Sequence, residues 1–122
     1  MKNILLIEDN LEIRENITEI LELDGYLVIV ATDGGMGHAL ATEKIPDLIL
    51  CDIMMPVLNG YEVLKELKQN PLTSKIPFIF ISASTEKKDI QVGLDMGASA
   101  YIRKPFEMEE LLHAVAGLLH KS

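Results

Sequence analysis

Cysteine is nearly absent from this chain: Cys51 is the single one in 122 residues. No disulfide can form within the chain, which fits a reducing compartment. Long apolar runs are also missing. The stretch from Tyr26 to Ala31 is typical, and none approaches the ~20 residues that a membrane-spanning helix needs. The amino-terminus, MKNILLIED, reaches acidic residues by position 8 and carries no signal-peptide cleavage pattern. The expectation is a cytoplasmic domain with no membrane contact. Basic residues are in the minority, 11 against 19 acidic, for a formal net charge of −8. Gripping a phosphate backbone calls for a basic face, so direct nucleic-acid binding is not expected. The three histidines, His38, His113 and His120, are scattered, whereas a site for a softer metal needs converging His and Cys ligands.

What is present has the balance of an ordinary globular domain, with 48% hydrophobic and 25% charged residues. No linker, repeat, low-complexity tract or charge block divides it, so residues 1–122 are taken as a single domain. Five short apolar runs predict strands: Asn3–Ile7, Tyr26–Ala31, Leu48–Asp52, Phe78–Ser82 and Ala100–Arg103. Most are apolar at consecutive positions, the pattern of parallel strands covered on both faces. Helical spacing lies between them. Ile13, Ile17, Ile20 and Leu21 follow Asn10, a capping residue, and precede Gly25. A weaker pattern spans Gly35 to Lys44, Leu64 and Leu67 mark a third helix, and Ile90 and Leu94 before Gly97 mark a fourth. Met108, Leu111, Leu112, Val115, Leu118 and Leu119 form the clearest stripe. Five alternations imply an α/β fold, a parallel sheet with right-handed crossovers flanked by five helices. Alternation does not fix strand order; the flavodoxin-like, doubly wound order 2-1-3-4-5 suits five strands.

Ligands in such sheets sit beyond the carboxyl ends of the strands, at the switch in strand order. The first strand delivers Glu8 and Asp9 there, the third Asp52, the fourth Ser82, and the fifth is followed by Lys104-Pro105. In the order 2-1-3-4-5, Glu8, Asp9 and Asp52 share one pocket. Two like charges ~5 Å apart repel by roughly 3 kcal/mol at an effective dielectric of ~20, so such a cluster takes up protons or binds a cation. An all-oxygen donor set suits Mg²⁺. A carboxylate can also act as a nucleophile toward phosphorus, with a lysine and a hydroxyl binding the incoming oxygens. Lys104 and Ser82 are placed for that work. Taken singly, Lys104 is a solvated lysine, Tyr101 a packed aromatic, Glu8-Asp9 an acid pair favourable at a helix start, and Cys51 a small core residue facing away from Asp52.

Together these residues make the chain resemble, over essentially its whole length, the receiver domain of two-component response regulators, in particular the chemotaxis regulators. The features that carry the resemblance are Glu8-Asp9, Asp52 with Met55-Pro56 and Asn59-Gly60, Ser82-Ala83, Gly97-Ala98 before Tyr101, and Lys104-Pro105-Phe106. The resemblance implies the strand order 2-1-3-4-5 and a phosphorylation-controlled signalling switch rather than an enzyme with an external substrate. It implies that Asp52 accepts a phosphoryl group from a sensor histidine kinase or histidine phosphotransfer protein. Mg²⁺ would be held by Asp9, by Glu8 through a water, by Asp52 and by the backbone carbonyl of Met54. Ser82 would contact the phosphoryl oxygens, Lys104 would form an ion pair with them, and Tyr101 would be the aromatic that responds to Ser82. The Lys104-Pro105 bond would be cis. The output would be a changed surface along the fourth helix, fifth strand and fifth helix, read by a downstream partner or an output domain, with phosphorylation-dependent homodimerisation as a further outcome. Glu8 stands where Asp is more usual, and Ser82 where Thr is also frequent. Met54 and Ser84 occupy positions that tune the lifetime of the phosphate in the family; neither offers an acid, base or amide, so fast self-hydrolysis is not expected.

Two other classes compete. A haloacid-dehalogenase-like phosphatase also uses an aspartyl nucleophile and Mg²⁺, but needs a second acid two residues on, where this chain has Met54. A flavodoxin-type module needs small and hydroxylated residues after the first strand to hold a flavin phosphate. Glu8-Asp9-Asn10 would repel it.

Overall fold

Strands and helices alternate along the described residues, 1–83 and 86–120, of a computed structural model. In chain order they are β1 (Asn3–Ile7), α1 (Leu11–Leu23), β2 (Leu27–Ala31), α2 (Gly34–Lys44), β3 (Leu48–Asp52), α3 (Gly60–Lys68), β4 (Phe78–Ser82), α4 (Lys87–Asp95), β5 (Ala100–Arg103) and α5 (Met108–Leu119). All strand pairs are parallel and the order is β2-β1-β3-β4-β5, as the family resemblance implied. Ser84 lies outside the described residues. No helix among those described is long and apolar enough to cross a membrane.

Successive side chains of a strand point to opposite faces, and the core divides accordingly. Ile4, Leu6, Leu48, Leu50, Ile79 and Ile81 pack on one face with Ile17 and Leu21 of α1 and Leu111 and Val115 of α5. Leu5, Ile7, Ile49, Cys51, Phe78 and Phe80 pack on the other with Ala41 of α2 and Val63, Leu64 and Leu67 of α3. The central strands β3 and β4 are buried at every position. This is why they carry no polar residue until the last one, Asp52 or Ser82.

The boundaries of α1 follow from its ends. Asn10 Oδ1 accepts from the Ile13 N–H at 3.0 Å, satisfying an orphan donor of the first turn. Gly25 adopts φ +91°, and the N–H groups of Gly25 and Tyr26 donate to the carbonyls of Glu22 and Leu21. That is the Schellman closure, which requires a left-handed residue. Tyr26 is therefore spent on closing the helix, and the strand begins one residue later than the apolar pattern suggested. The Thr32–Asp33–Gly34 turn and the Asn59-Gly60 pair are likewise helix starts. Asp33 caps α2 through the Met36 N–H, and Asn59 and Glu62 form a reciprocal capping box on α3.

Four apolar residues are more exposed than the patterns suggested. In β2, Leu27 and Val30 are exposed because β2 is an edge strand. Leu94 of α4 and Met108 of α5 also face outward. In α4 the buried position is Gly93, where a side chain would enter the Phe80 ring.

Candidate functional site

The register places the acids together. Ile7 of β1 pairs with Cys51 of β3, so the next residues, Glu8 and Asp52, emerge side by side at the carboxyl end of the sheet. Carboxylate oxygens of Glu8, Asp9 and Asp52 all lie within 4.8 Å of one another. Glu8 and Asp52 are buried and Asp9 is exposed. Lys104, just beyond β5, reaches across this edge. Its Nζ lies 2.8 Å from Glu8 Oε1 and 3.4 Å from Asp52 Oδ2. Three carboxylates around one ammonium leave an excess of negative charge. At this spacing each like-charge pair repels by roughly 3 kcal/mol at an effective dielectric of ~20. Converging hard oxygen donors with uncompensated negative charge are the environment that a cation such as Mg²⁺ fits.

The loop carrying these acids is tied at several points. The Glu8 N–H donates to the Ala31 carbonyl at 3.0 Å. The Asn10 N–H donates to Glu8 Oε2 at 3.1 Å, and Arg14 Nη1 donates to the Glu8 carbonyl at 3.0 Å. The Asp52 side is held from within the core: the buried Cys51 thiol donates to the Asp52 carbonyl at 3.1 Å. Burial, reinforced by the charges of Asp52 and Glu8, pushes that thiol well above its ordinary pKa, so it is an inert core group.

Ser82 ends β4, buried, and its carbonyl accepts from the Lys104 N–H at 2.8 Å. The hydroxyl-bearing residue and the lysine are thus linked through the backbone. The Lys104-Pro105 peptide bond is cis. An open cleft of about 400 Å³ beside Lys104 is lined by Ile13, Asn16, Ala83, Pro105 and Phe106. Tyr101 and the Met54 side chain are not part of the acid cluster. Tyr101 is paired in register with Phe80 and lies against its ring, centroids 6.4 Å apart; Met54 is exposed. His38 pairs with Glu66 and His120 with the Tyr26 hydroxyl, both away from the acids.

Sequence reasoning passed over Arg14. It is the only basic residue of α1, among Glu12, Glu15, Glu19 and Glu22, and that isolation was its visible signal. Gly60 follows the capping Asn59 at the start of α3. A Cβ there would stand 2.5 Å from the Asp52 carbonyl oxygen, a close approach that no local pattern announces.

Burial raises the Glu8 pKa from 4.5 to about 7, outweighing the hydrogen bonds from Lys104 and the Asn10 amide, which lower it. Between those values the folded, cation-free chain keeps a proton that the unfolded chain has released. The contribution of Glu8 to stability is therefore full below pH 4.5 and is lost as pH rises through 7. The shift corresponds to about 3 kcal/mol. In urea titrations with EDTA, the stability difference between wild type and Glu8→Gln should move against wild type by an amount of that order between pH 4.5 and 7.5. A pH-independent difference would contradict it.

Residues 4–116 match the family described as the response regulator receiver domain. The chain is 38% identical over 122 residues to the DNA-binding dual master transcriptional regulator RpaA of Synechocystis, covering 100% of this chain and 51% of that protein. It spans about half the length of the curated relatives it matches. Among solved structures it is similar to chemotaxis protein CheY4 of Vibrio cholerae (TM-score 0.91, 30% identity, 98% of this chain and 99% of that one). It is equally similar to the receiver domain of sensor histidine kinase PA1611 of Pseudomonas aeruginosa, solved with a magnesium ion coordinated in its active-site cleft (TM-score 0.91, 30% identity, 98% of each chain).

Proposed function

The chain belongs to the response regulator receiver domain family, whose members are signalling domains that accept a phosphoryl group on an aspartate with Mg²⁺, and from that premise we propose that Asp52 is the acceptor and that residues 1–122 act as one cytoplasmic receiver domain. The observation that carries this reading is the convergence of three carboxylates and Lys104 at one end of the sheet. An Asp52 carboxylate oxygen attacks the phosphorus of the donor. A P–O bond forms to Asp52, the bond from phosphorus to the donor's leaving atom breaks, and that atom departs with the bonding pair. Lys104, already 3.4 Å from Asp52, is positioned to follow the charge onto the phosphoryl oxygens, and the Ser82 hydroxyl supplies a second donor. Glu8, Asp9, Asp52 and the Met54 carbonyl would hold Mg²⁺, which supplies positive charge that offsets the approach of an anionic donor to an acidic site.

The donor is a sensor histidine kinase or histidine phosphotransfer protein. Because Lys104 is hydrogen-bonded to Ser82 through the backbone and Tyr101 lies three residues before it, a change of partner at Lys104 is felt along β5. Phosphorylation then shifts an existing equilibrium between two arrangements of the α4–β5–α5 surface. A downstream partner, an output domain or a second copy reads that surface. The only catalysis is the domain's own phosphoryl transfer and slow self-dephosphorylation, since Met54 offers no acid or base. The same absence disfavours a phosphatase reading.

A small-molecule phosphodonor such as acetyl phosphate tests this. Intact-mass measurement should show one added phosphoryl group with Mg²⁺ and none with EDTA. Labelling indifferent to the cation would remove Mg²⁺ from the reading, and steady turnover of phosphomonoesters would favour the phosphatase.

A further inference from the structure

We propose that Arg14 is a positioning residue for the divalent-cation site, acting through the peptide that joins Glu8 to Asp9; the inference rests on reading the acid cluster as that site. Arg14 is locally misplaced. It stands near the start of α1, where the helix dipole favours anions and disfavours a cation. Among the described residues it forms no ion pair that would compensate. Its hydrogen-bond partner is instead a backbone oxygen, the Glu8 carbonyl, 3.0 Å from Nη1.

That carbonyl is the group the other ties leave open. The Glu8 amide is anchored on Ala31, and the Glu8 carboxylate is held by the Asn10 amide and Lys104. The peptide unit between Glu8 and Asp9 is gripped on its carbonyl side by Arg14, a residue one turn into the helix. Among the described residues the Asp9 carboxylate has no hydrogen bond or ion pair, and it is exposed. Its aim toward Glu8 and Asp52 therefore depends on the backbone, and the backbone there depends on Arg14. The clamp spans six residues and ties the loop to the body of α1, whose own place is set by buried Ile17 and Leu21.

The sign of the effect separates this role from simple electrostatics. Arg14 is a cation near a site for a cation, so by Coulomb's law its removal would tighten Mg²⁺ binding. As a clamp, its removal should weaken binding. Groups that orient metal ligands from behind typically change metal affinity 10–100-fold. Because Asp9 is one donor among several, the low end is expected.

The experiment is isothermal titration of Mg²⁺ into the full chain at fixed ionic strength, for wild type, Arg14→Met and Arg14→Gln, with thermal unfolding recorded in EDTA. Arg14→Met should raise the Mg²⁺ Kd about tenfold. Arg14→Gln, neutral and shorter, should act in the same direction and decides the matter if the Met variant does not fold. An unchanged or lower Kd in the folded variant overturns the proposal, even if its melting temperature in EDTA falls, because a merely structural role would move only the latter. If wild type itself binds no Mg²⁺, the reading of the acid cluster fails and the role of Arg14 with it.

Discussion

Asp52→Asn should take up no phosphoryl group under conditions that label the wild-type chain completely. An amide lacks the anionic oxygen that attacks phosphorus, while its size and planarity match the carboxylate. The substitution also removes one charge from a crowded site. It loses the 3.4 Å contact with Lys104 but relieves repulsion from Glu8, and Lys104 keeps its shorter contact with Glu8 at 2.8 Å. The variant should therefore fold as wild type does, and circular dichroism before the labelling experiment checks this. Intact-mass measurement after acetyl phosphate and Mg²⁺ then decides. Residual labelling would place the acceptor elsewhere in the cluster, with Asp9 the first to examine by peptide mapping after borohydride reduction of the acyl phosphate.

Gly60→Ala should be the most destabilising single-methyl change near the site. Gly60 opens α3, and its N–H donates to the Ile53 carbonyl at 2.9 Å. A Cβ would stand 2.5 Å from the Asp52 carbonyl oxygen and 2.8 Å from the Ile53 Cα. Both are backbone atoms of the segment that leaves β3, so no side chain can swing aside. Helix propensity alone favours alanine over glycine by up to ~1 kcal/mol. The clash must overcome that, and overpacking typically costs 1–3 kcal/mol. A net loss of about 2 kcal/mol, or a fall in melting temperature of roughly 10 °C, is expected in thermal unfolding. A stabilised variant would mean that α3 can retreat from the β3 end without cost. The same displacement would carry the Asp52 backbone with it, so labelling of the variant should also slow.

Much of this could be read from residue order. Alternating apolar runs and helical stripes located the elements to within a residue or two, because periodicity and capping are local properties. Asn10 and Gly25 announced the ends of α1 for the same reason. The order in which Glu8-Asp9, Asp52, Ser82 and Lys104 occur, each at the end of a strand, identified the acidic site and its family. The exposure of Leu27, Val30, Leu94 and Met108 was not legible, since it depends on which strand is an edge and which side of a helix meets the sheet.

The sequence by itself determined the class of fold, the three acids that gather at the end of the sheet and their excess over base there, because these follow from residue types and their positions at strand ends. Only the tertiary structure decided how those charges are shared. Lys104 arrives from 96 residues away and sits closer to Glu8 than to Asp52. Arg14 turns from its own helix onto the Glu8 carbonyl, and Gly60 is required by a backbone contact with Asp52. Each of these is a distance between elements. Such distances are set by how the two core layers pack around the sheet, which no local pattern in the chain encodes.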